Sequence, residues 1–472
     1  MEQLSGVDTG FLNLETPFQQ GHVGGVVVLD RSHAPEEWGF DGLRDLIEER
    51  IHLLPPFRKR LLTVPLGVDN PYWINDPHFD LSFHLRHVAV PPPGGALELS
   101  ELVARIHQRP LDRTRPLWEM YLIEGLADGR VATYTKLHHA AVDGMGGADI
   151  LTSLLDTEPE GRTVPAPATP WKSGEIPSPV SLLARSLRRL ALSPVRASRV
   201  GYELVRGLPG LHPLKALPAL VGMHTDDEIL SRPALVAPQS RLNRQISPHR
   251  RWAFGDVSLS AVKRIKDAAG TTVNDVVIAA SAGAVRRWLS RHEGVPKRSL
   301  QALIPISIRT GEETGEIGNQ VSAMIAPIGT HLEDPVQRLE FVHRTMGIAK
   351  ETHRATPATL LQDFAQFAPP VLAARAAQVA YRNGRGGRWT PFNLVISNVP
   401  GPHFPLYLAG APLEGHYPVS TITDGAALNI TLYRYLDRLC FGLVGDRELL
   451  PDLWDLIDMI QDEVAELEKA LT

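Results

Sequence analysis

Val131-Ala-Thr-Tyr-Thr-Lys-Leu-His-His-Ala-Ala-Val-Asp-Gly144 runs from a strand pattern into a loop punctuated by glycine. Its β-branched and aromatic alternation predicts a strand over Val131 to His139. On a strand, alternate side chains face opposite ways, which groups His139 with Leu137 and Thr135 and turns His138 to the other face. The two histidines therefore cannot do the same job. Asp143 and Gly144 fall beyond the strand end. Gly144, Gly146 and Gly147 predict a tight backbone before a helix carrying Ala148, Leu151, Leu154 and Leu155 on one face. The histidine pair is thus expected at the rim of a strand.

An imidazole titrates at about 6.5, which suits it to remove a proton from a hydroxyl near neutral pH. Such a base needs one ring nitrogen free and its tautomer fixed. Asp143 is separated from His139 by three residues, so it is expected to order the loop rather than touch the imidazole. No Gly-x-Ser-x-Gly elbow occurs, and no cysteine can be placed beside the histidines. Direct attack by a bound hydroxyl, activated by His139, is therefore simpler than a covalent enzyme intermediate. Two other readings stand beside it. The pair could be a satisfied core feature, or His138, His139 and Asp143 could bind a metal. Opposite-facing neighbours do not converge on one ion and no HExxH spacing is present, so no metal is expected. Base chemistry and a structural role both stand open on these residues alone.

Outward from this stretch, Val23 to Leu29 predicts a second strand, and Leu43 to Leu54 and Leu99 to Gln108 predict helices. The first half is mixed α/β. Pro159 to Pro179 is proline-rich and Ser181 to Lys215 is rich in arginine and leucine, which together read as a linker. The second half opens with a helix over Ser260 to Ala269 closed by Gly270. Thr272-Val-Asn-Asp275 has the capping-box pattern before a helix running to about Arg291. Short buried strands are expected over Leu303 to Ile308, Val321 to Ile328, Phe392 to Ser397 and Ala427 to Tyr433. Trp454, Ile457, Ile460, Val464, Leu467 and Leu471 recur at helical spacing, with Asp455, Asp458, Asp462 and Glu466 on the solvated side. The division expected is a first half over 1–157, a crossover linker over 158–245 and a second half over 246–472.

The chain has 472 residues, 43% hydrophobic and 21% charged, enough for a sizeable core and more than one small module. Its net charge of −5 argues against a whole-surface nucleic-acid binder. The single cysteine, Cys440, excludes an intrachain disulfide and a thiolate metal site. The first thirty residues contain no Lys or Arg, so the basic flank of a secretory signal is missing and export by that route is not expected. The longest stretch without a charged side chain, Trp389 to Leu413, is interrupted by five prolines, so a membrane span is not expected either.

His138-His139-Ala-Ala-Val-Asp143-Gly144 resembles the HHxxxDG motif of the chloramphenicol-acetyltransferase-like superfamily of coenzyme-A- and carrier-dependent acyltransferases. Within it, the chain resembles the bacterial wax ester synthase/acyl-CoA:diacylglycerol acyltransferase family along nearly its whole length. The matching stretches are Leu4-Ser-Gly-Val-Asp8 through His22-Val-Gly-Gly25, Pro116-Leu-Trp118, Val273-Asn-Asp275, Pro305-Ile-Ser-Ile-Arg309, Gly318-Asn319, Ile396-Ser-Asn-Val-Pro-Gly-Pro402, and Asp424-Gly425 through Asn429-Ile430. Only Pro159 to Met223 lacks a recognisable motif. The resemblance implies two similar α/β halves, each a mixed sheet flanked by helices, with a substrate tunnel between them. It implies that His139 is the base at the centre of that tunnel and that His138 supports the site. Asp143 matches an aspartate that pairs with an arginine, here expected to be Arg309, and Gly144 completes the motif. Asn274 and Asp275 match a pair linked to activity, though Asp275 reads equally well as a helix cap. Ser397 and Asn398 are candidate oxyanion donors, or turn formers before Pro400 and Gly401. Trp118 is expected to pack the core.

The function implied is acyl-CoA-dependent O-acylation of a lipid hydroxyl, diacylglycerol to triacylglycerol, with acyl-CoA as co-substrate and neither metal nor prosthetic group. Three rivals are a wax ester synthase using a fatty alcohol, a condensation-domain-like enzyme using carrier-bound acyl groups, and a lipid-binding or lipid-body protein without catalysis. Ser181 to Lys215 carries seven basic residues against Glu203, a net of +6. This segment is expected to dock a cytoplasmic protein peripherally on an anionic membrane or lipid-body surface, or else to pack the linker against the two halves.

Overall fold

A computed structural model of the chain describes residues 1–34, 38–141, 147–191, 234, 236–307, 321–355 and 390–472. Two six-stranded mixed sheets dominate it. The first runs, in spatial order, Tyr407–Leu408, Ala411–Val419, His22–Leu29, Val131–His138, Trp118–Glu124 and Leu85–Ala89. The second runs Val321–Pro327, Gln301–Ser307, Leu394–Val399, Leu428–Tyr435, Arg438–Asp446 and Arg250–Ser258. Glu2–Gln3, Tyr72–Asn75 and Lys59–Leu62 form a separate small three-stranded sheet, whose Leu61 packs with Leu117 and Ala140 beside the first sheet. The expected α/β architecture of two mixed sheets flanked by helices is therefore present.

The sheets do not divide at one point of the chain. Ala411–Val419, from the later part of the sequence, pairs antiparallel with His22–Leu29, from Leu413 opposite Leu29 to Val419 opposite Gly24. Pro412, Gly415 and Pro418 hide this strand from a pattern search, because proline and glycine weaken a strand signal. It tolerates them beside a single full-length neighbour, with a register shift between Leu413 and Gly415. Close approach explains Gly25: a Cβ there would run into the imidazole of His416. The crossing strand, together with helix Ala96–His107 and its Ser100 hydroxyl bonded to the Trp252 carbonyl, joins both sheets into one hydrophobic core.

The helices follow the expected signals. Gly270, at φ 65°, closes Leu259–Ala269, and Thr272 with Asp275 forms the capping box of Val273–His292. That helix is buried all round between Asp275 and Val285, so it is a core helix rather than an amphipathic one. The C-terminal helix Asp455–Leu471 buries Leu456, Ile457, Met459, Ile460, Val464 and Leu467. It also buries Glu463, which pairs with Arg338 and, at 2.6 Å, with Arg287. Trp118 lies in the core, stacked on Phe57 and His84, with its indole N–H on the Phe57 carbonyl at 2.8 Å. Among the described residues no single helix is long and apolar enough to cross a membrane.

Candidate active site

Tyr134, Lys136 and His138 share one face of the Val131–His138 strand, and all three are buried. His22 stands opposite His138 in the sheet register, and His107 ends the helix Ala96–His107. The His22 ring lies 6.0 Å from that of His138 and 6.2 Å from that of His107, both edge-on. Hydrogen bonds settle each tautomer. His107 Nε2–H donates to the Ser420 carbonyl at 2.9 Å, and its Nδ1 accepts the Tyr134 hydroxyl at 2.8 Å. His22 Nδ1–H donates to the His107 carbonyl at 3.3 Å, and its Nε2 accepts the Leu111 N–H at 3.4 Å. His138 Nδ1 accepts the Ala140 N–H at 3.1 Å, so Nε2–H is the donor to Glu15 Oε1 at 3.1 Å.

Two histidines of this layer, His22 and His107, are held neutral. Burial, with the positive charge of Lys136, holds His22 well below its ordinary value. Burial together with Lys136 and Arg250 pushes His107 down to about 3. Glu15 goes the other way from a simple buried acid. Burial would raise it, but His138, the Gly21 N–H at 2.7 Å and Arg113 at 2.5 Å outweigh that and hold it at about 2. It is a carboxylate throughout the working range.

His139 leaves the strand. The strand ends at His138, and His139 opens a 3₁₀ turn over His139–Ala141, so the expected face shared with Leu137 and Thr135 gives way to a turn position. Its main-chain N–H donates to the Gly21 carbonyl at 2.8 Å. Its ring lies on that of Phe11, centroids 4.0 Å apart and planes 18° from parallel. Phe11 comes from the helix Gly6–Asn13, which is capped by the Ser5 hydroxyl accepting the Asp8 N–H at 3.1 Å. His138 is 1% exposed whereas His139 is half-buried. The two neighbours are held differently: one ring is locked into the protein, the other is stacked and half-buried at the rim.

Asp143, Gly144 and Arg309 lie outside the described residues, and with them the expected Asp143–Arg309 pair. Asp275 acts where its capping role puts it. Its carboxylate accepts the Thr272 N–H at 3.0 Å and contacts His343 Nδ1 at 2.8 Å, and none of its partners belongs to the histidine layer. Asn274 is the half-buried second residue of that helix. Ser397 and Asn398 are half-buried on the strand Leu394–Val399, opposite Thr431 and Leu432, so they belong to a strand and not to a turn. As consecutive strand residues they face opposite ways, and at most one can serve a given oxyanion. Among the described residues no group of three or more His, Cys, Asp and Glu side chains is placed to hold a metal ion.

Sequence reasoning did not single out Phe11, Glu15, His107 or Lys136. Glu15 and His138 are 123 positions apart, and no local pattern links them. For Lys136 a signal exists: it stands two residues before His138, with the same strand parity, in a segment otherwise built for burial.

Residues 4–277 match the wax ester synthase/diacylglycerol acyltransferase catalytic domain, and residues 317–468 match the C-terminal domain of the same family. A probable diacylglycerol O-acyltransferase of Mycobacterium tuberculosis is 35% identical over 471 residues, covering 98% of each chain. The solved wax ester synthase/diacylglycerol acyltransferase of Marinobacter aquaeolei VT8 superposes with a TM-score of 0.70 at 32% identity, covering 99% of both chains. The trichothecene 15-O-acetyltransferase of Fusarium sporotrichioides shares the fold alone, with a TM-score of 0.58 at 12% identity over 99% of this chain and 95% of that one. The histidine pair at its strand end, the two domain matches and relatives of this similarity over nearly their full length establish that the chain belongs to the wax ester synthase/diacylglycerol acyltransferase family.

Proposed function

We propose that the chain is an acyl-CoA-dependent O-acyltransferase that esterifies diacylglycerol to triacylglycerol, with His139 as general base. The observation that carries this reading is the contrast within the histidine pair. His138 has both ring nitrogens committed inside the protein, while His139 is presented half-exposed with its main chain and ring plane held. Acyl-CoA and the lipid hydroxyl reach His139 from the two sides of the tunnel between the halves. His139 removes the hydroxyl proton, and the oxygen attacks the thioester carbonyl. The tetrahedral oxyanion then collapses as the C–S bond breaks. The imidazolium returns its proton to the CoA thiolate, so ester and free CoA leave and the base is restored. No step needs a metal or a prosthetic group.

Purified protein with labelled acyl-CoA, offered diacylglycerol, a fatty alcohol or neither, tests the assignment. Triacylglycerol as the principal product supports it, and preferential wax ester formation replaces the acceptor with a fatty alcohol. His139→Ala is expected to lower turnover about 10² to 10⁴-fold in a folded protein. His138→Ala is expected to be milder than His139→Ala or to act through stability, since its ring is buried. Near-wild-type turnover by folded His139→Ala would remove the base from the mechanism.

The water-insoluble acceptor calls for access to a lipid surface, and the helix Pro179–Ala191 offers a candidate contact. Leu182 and Ser186 face inward, with Leu182 packed against Val64 and Tyr72, so part of the leucine content serves packing. Arg185, Arg188 and Arg189 are exposed, as are Val180 at 76% and Leu187 at 51%. The adjoining turn Pro65–Gly67 holds Leu66 at 81% exposure. Apolar side chains bordered by arginines favour an anionic lipid interface, each cation contributing on the order of 1 kcal/mol. Co-sedimentation with anionic vesicles at low salt, comparing the wild type with a variant carrying Gln at 185, 188 and 189, tests this docking. Equal binding refutes it.

A further inference from the structure

We infer that Glu15 is a positioning residue for the catalytic base: one carboxylate oxygen holds the peptide segment of His139 from two directions, through His138 and through Gly21. The inference rests on the reading of His139 as the base. Glu15 Oε1 accepts both the His138 Nε2–H at 3.1 Å and the Gly21 N–H at 2.7 Å. Each of those partners passes the hold onward. The His138 ring, through Nδ1, takes the Ala140 N–H at 3.1 Å. Gly21, through its carbonyl, takes the His139 N–H at 2.8 Å. Two successive amides, those of His139 and Ala140, are thus tied to a single side chain far away in sequence.

The other oxygen reaches the stacking partner. Arg113 donates to Glu15 Oε2 at 2.5 Å and to the Leu12 carbonyl at 3.0 Å, and Leu12 follows Phe11 on the helix that carries the ring under His139. The loop between Glu15 and Gly21 is itself fastened from the second half. The Thr421 hydroxyl donates to the Gln20 carbonyl at 2.6 Å, and the Asp424 N–H to Gln19 Oε1 at 3.1 Å. Space is closed as well, because a Cβ on Gly21 would lie 3.0 Å from His138 Nε2. Only a carboxylate suits this junction. Two N–H donors meet one oxygen and a guanidinium meets the other, so both atoms must be acceptors, whereas an amide would turn its NH₂ toward one set of donors.

Glu15→Gln and Glu15→Leu test the inference, read by steady-state acyl transfer and by the ¹⁵N spectrum of His138. The amide keeps the shape and one acceptor, so turnover is expected to fall about 10-fold in Glu15→Gln and about 100-fold in Glu15→Leu, with KM for acyl-CoA within about twofold. The His138 ring nitrogens are expected to pass from the single Nε2–H tautomer to an exchange average in both variants. If Glu15→Leu does not fold, the near-isosteric Glu15→Gln carries the test. A Glu15→Gln protein with wild-type turnover and an unchanged His138 spectrum overturns the positioning role, as does a lowered melting temperature with turnover intact. A wild type that acylates no acceptor overturns the function assigned to His139 instead, and the His138 spectrum still reads the hold of Glu15 without any turnover.

Discussion

Replacing Lys136 by methionine is expected to flatten the alkaline rise in stability that this chain owes to one buried ammonium. Lys136 is fully buried, and its Nζ donates to the Ile106 carbonyl at 3.0 Å and to the Arg109 carbonyl, at the C-terminal end of the helix Ala96–His107. Among the described residues no carboxylate forms an ion pair with it. Burial pushes its pKa down from 10.5 to about 8, with Arg109 adding to the fall and Glu119 and Glu15 opposing it. In the unfolded chain the same lysine keeps its proton up to about 10.5. Between those values the unfolded state binds more protons, so stability rises with pH across the window, and the full penalty is present below it. A depression of this size amounts to about 3 kcal/mol, of which about 2 to 3 kcal/mol is relieved between about pH 7 and about pH 10. Methionine fills similar space but cannot titrate, and its loss of two hydrogen bonds adds an offset independent of pH. Urea unfolding of both proteins across that range measures the difference in stability at each pH. The difference should grow in favour of the wild type as pH rises, and a constant difference refutes the buried-ammonium reasoning.

Phe11→Ala removes the ring on which His139 lies, an interaction worth about 0.5 to 1.5 kcal/mol, and is expected to lower kcat about 10-fold with little change in KM for acyl-CoA. Unchanged kcat in steady-state assays would show that the main-chain bonds alone suffice. Gly25→Ala forces a Cβ into the His416 imidazole and is expected to cost about 1 to 3 kcal/mol in urea unfolding. Adding His416→Ala should recover part of that loss, and strict additivity of the two changes would rule out the clash. Asp275→Ala removes the reciprocal cap of the helix Val273–His292 and is expected to cost about 0.5 to 2 kcal/mol, visible as a lower melting temperature. No shift in melting would contradict the capping role.

Much of the fold was legible because its signals are local. The capping box at Thr272 and Asp275, the closing Gly270 and the apolar stripe of Asp455–Leu471 depend on residues within a few positions of one another, and the helices form where those patterns lie. The strand before the histidine pair was visible from its alternation, yet its end was one residue early. His139 is drawn into a turn by the Gly21 carbonyl, a partner from another strand. Ala411–Val419 escaped because its prolines argue against a strand, and only the vacant edge of His22–Leu29 makes one of it.

The candidate site divides in the same way. That His138 and His139 sit in different settings was expected from sequence through strand alternation, whereas the fold separates them by ending the strand at His138 and carrying His139 into a turn. What holds each ring was decided by tertiary structure. Glu15 and Arg113 meet 98 positions apart, and Glu15 and His138 meet 123 apart. Phe11 reaches His139 from the helix near the N-terminus. Lys136 carries its charge into the core only because two carbonyls at the end of a neighbouring helix are there to receive it. Covalent order dictates period, caps and the orientation of neighbours, because these act over a few bonds. Tautomers, shifted pKa values and the placing of a base depend on which distant groups the folded chain brings within hydrogen-bonding distance, and no local pattern encodes that.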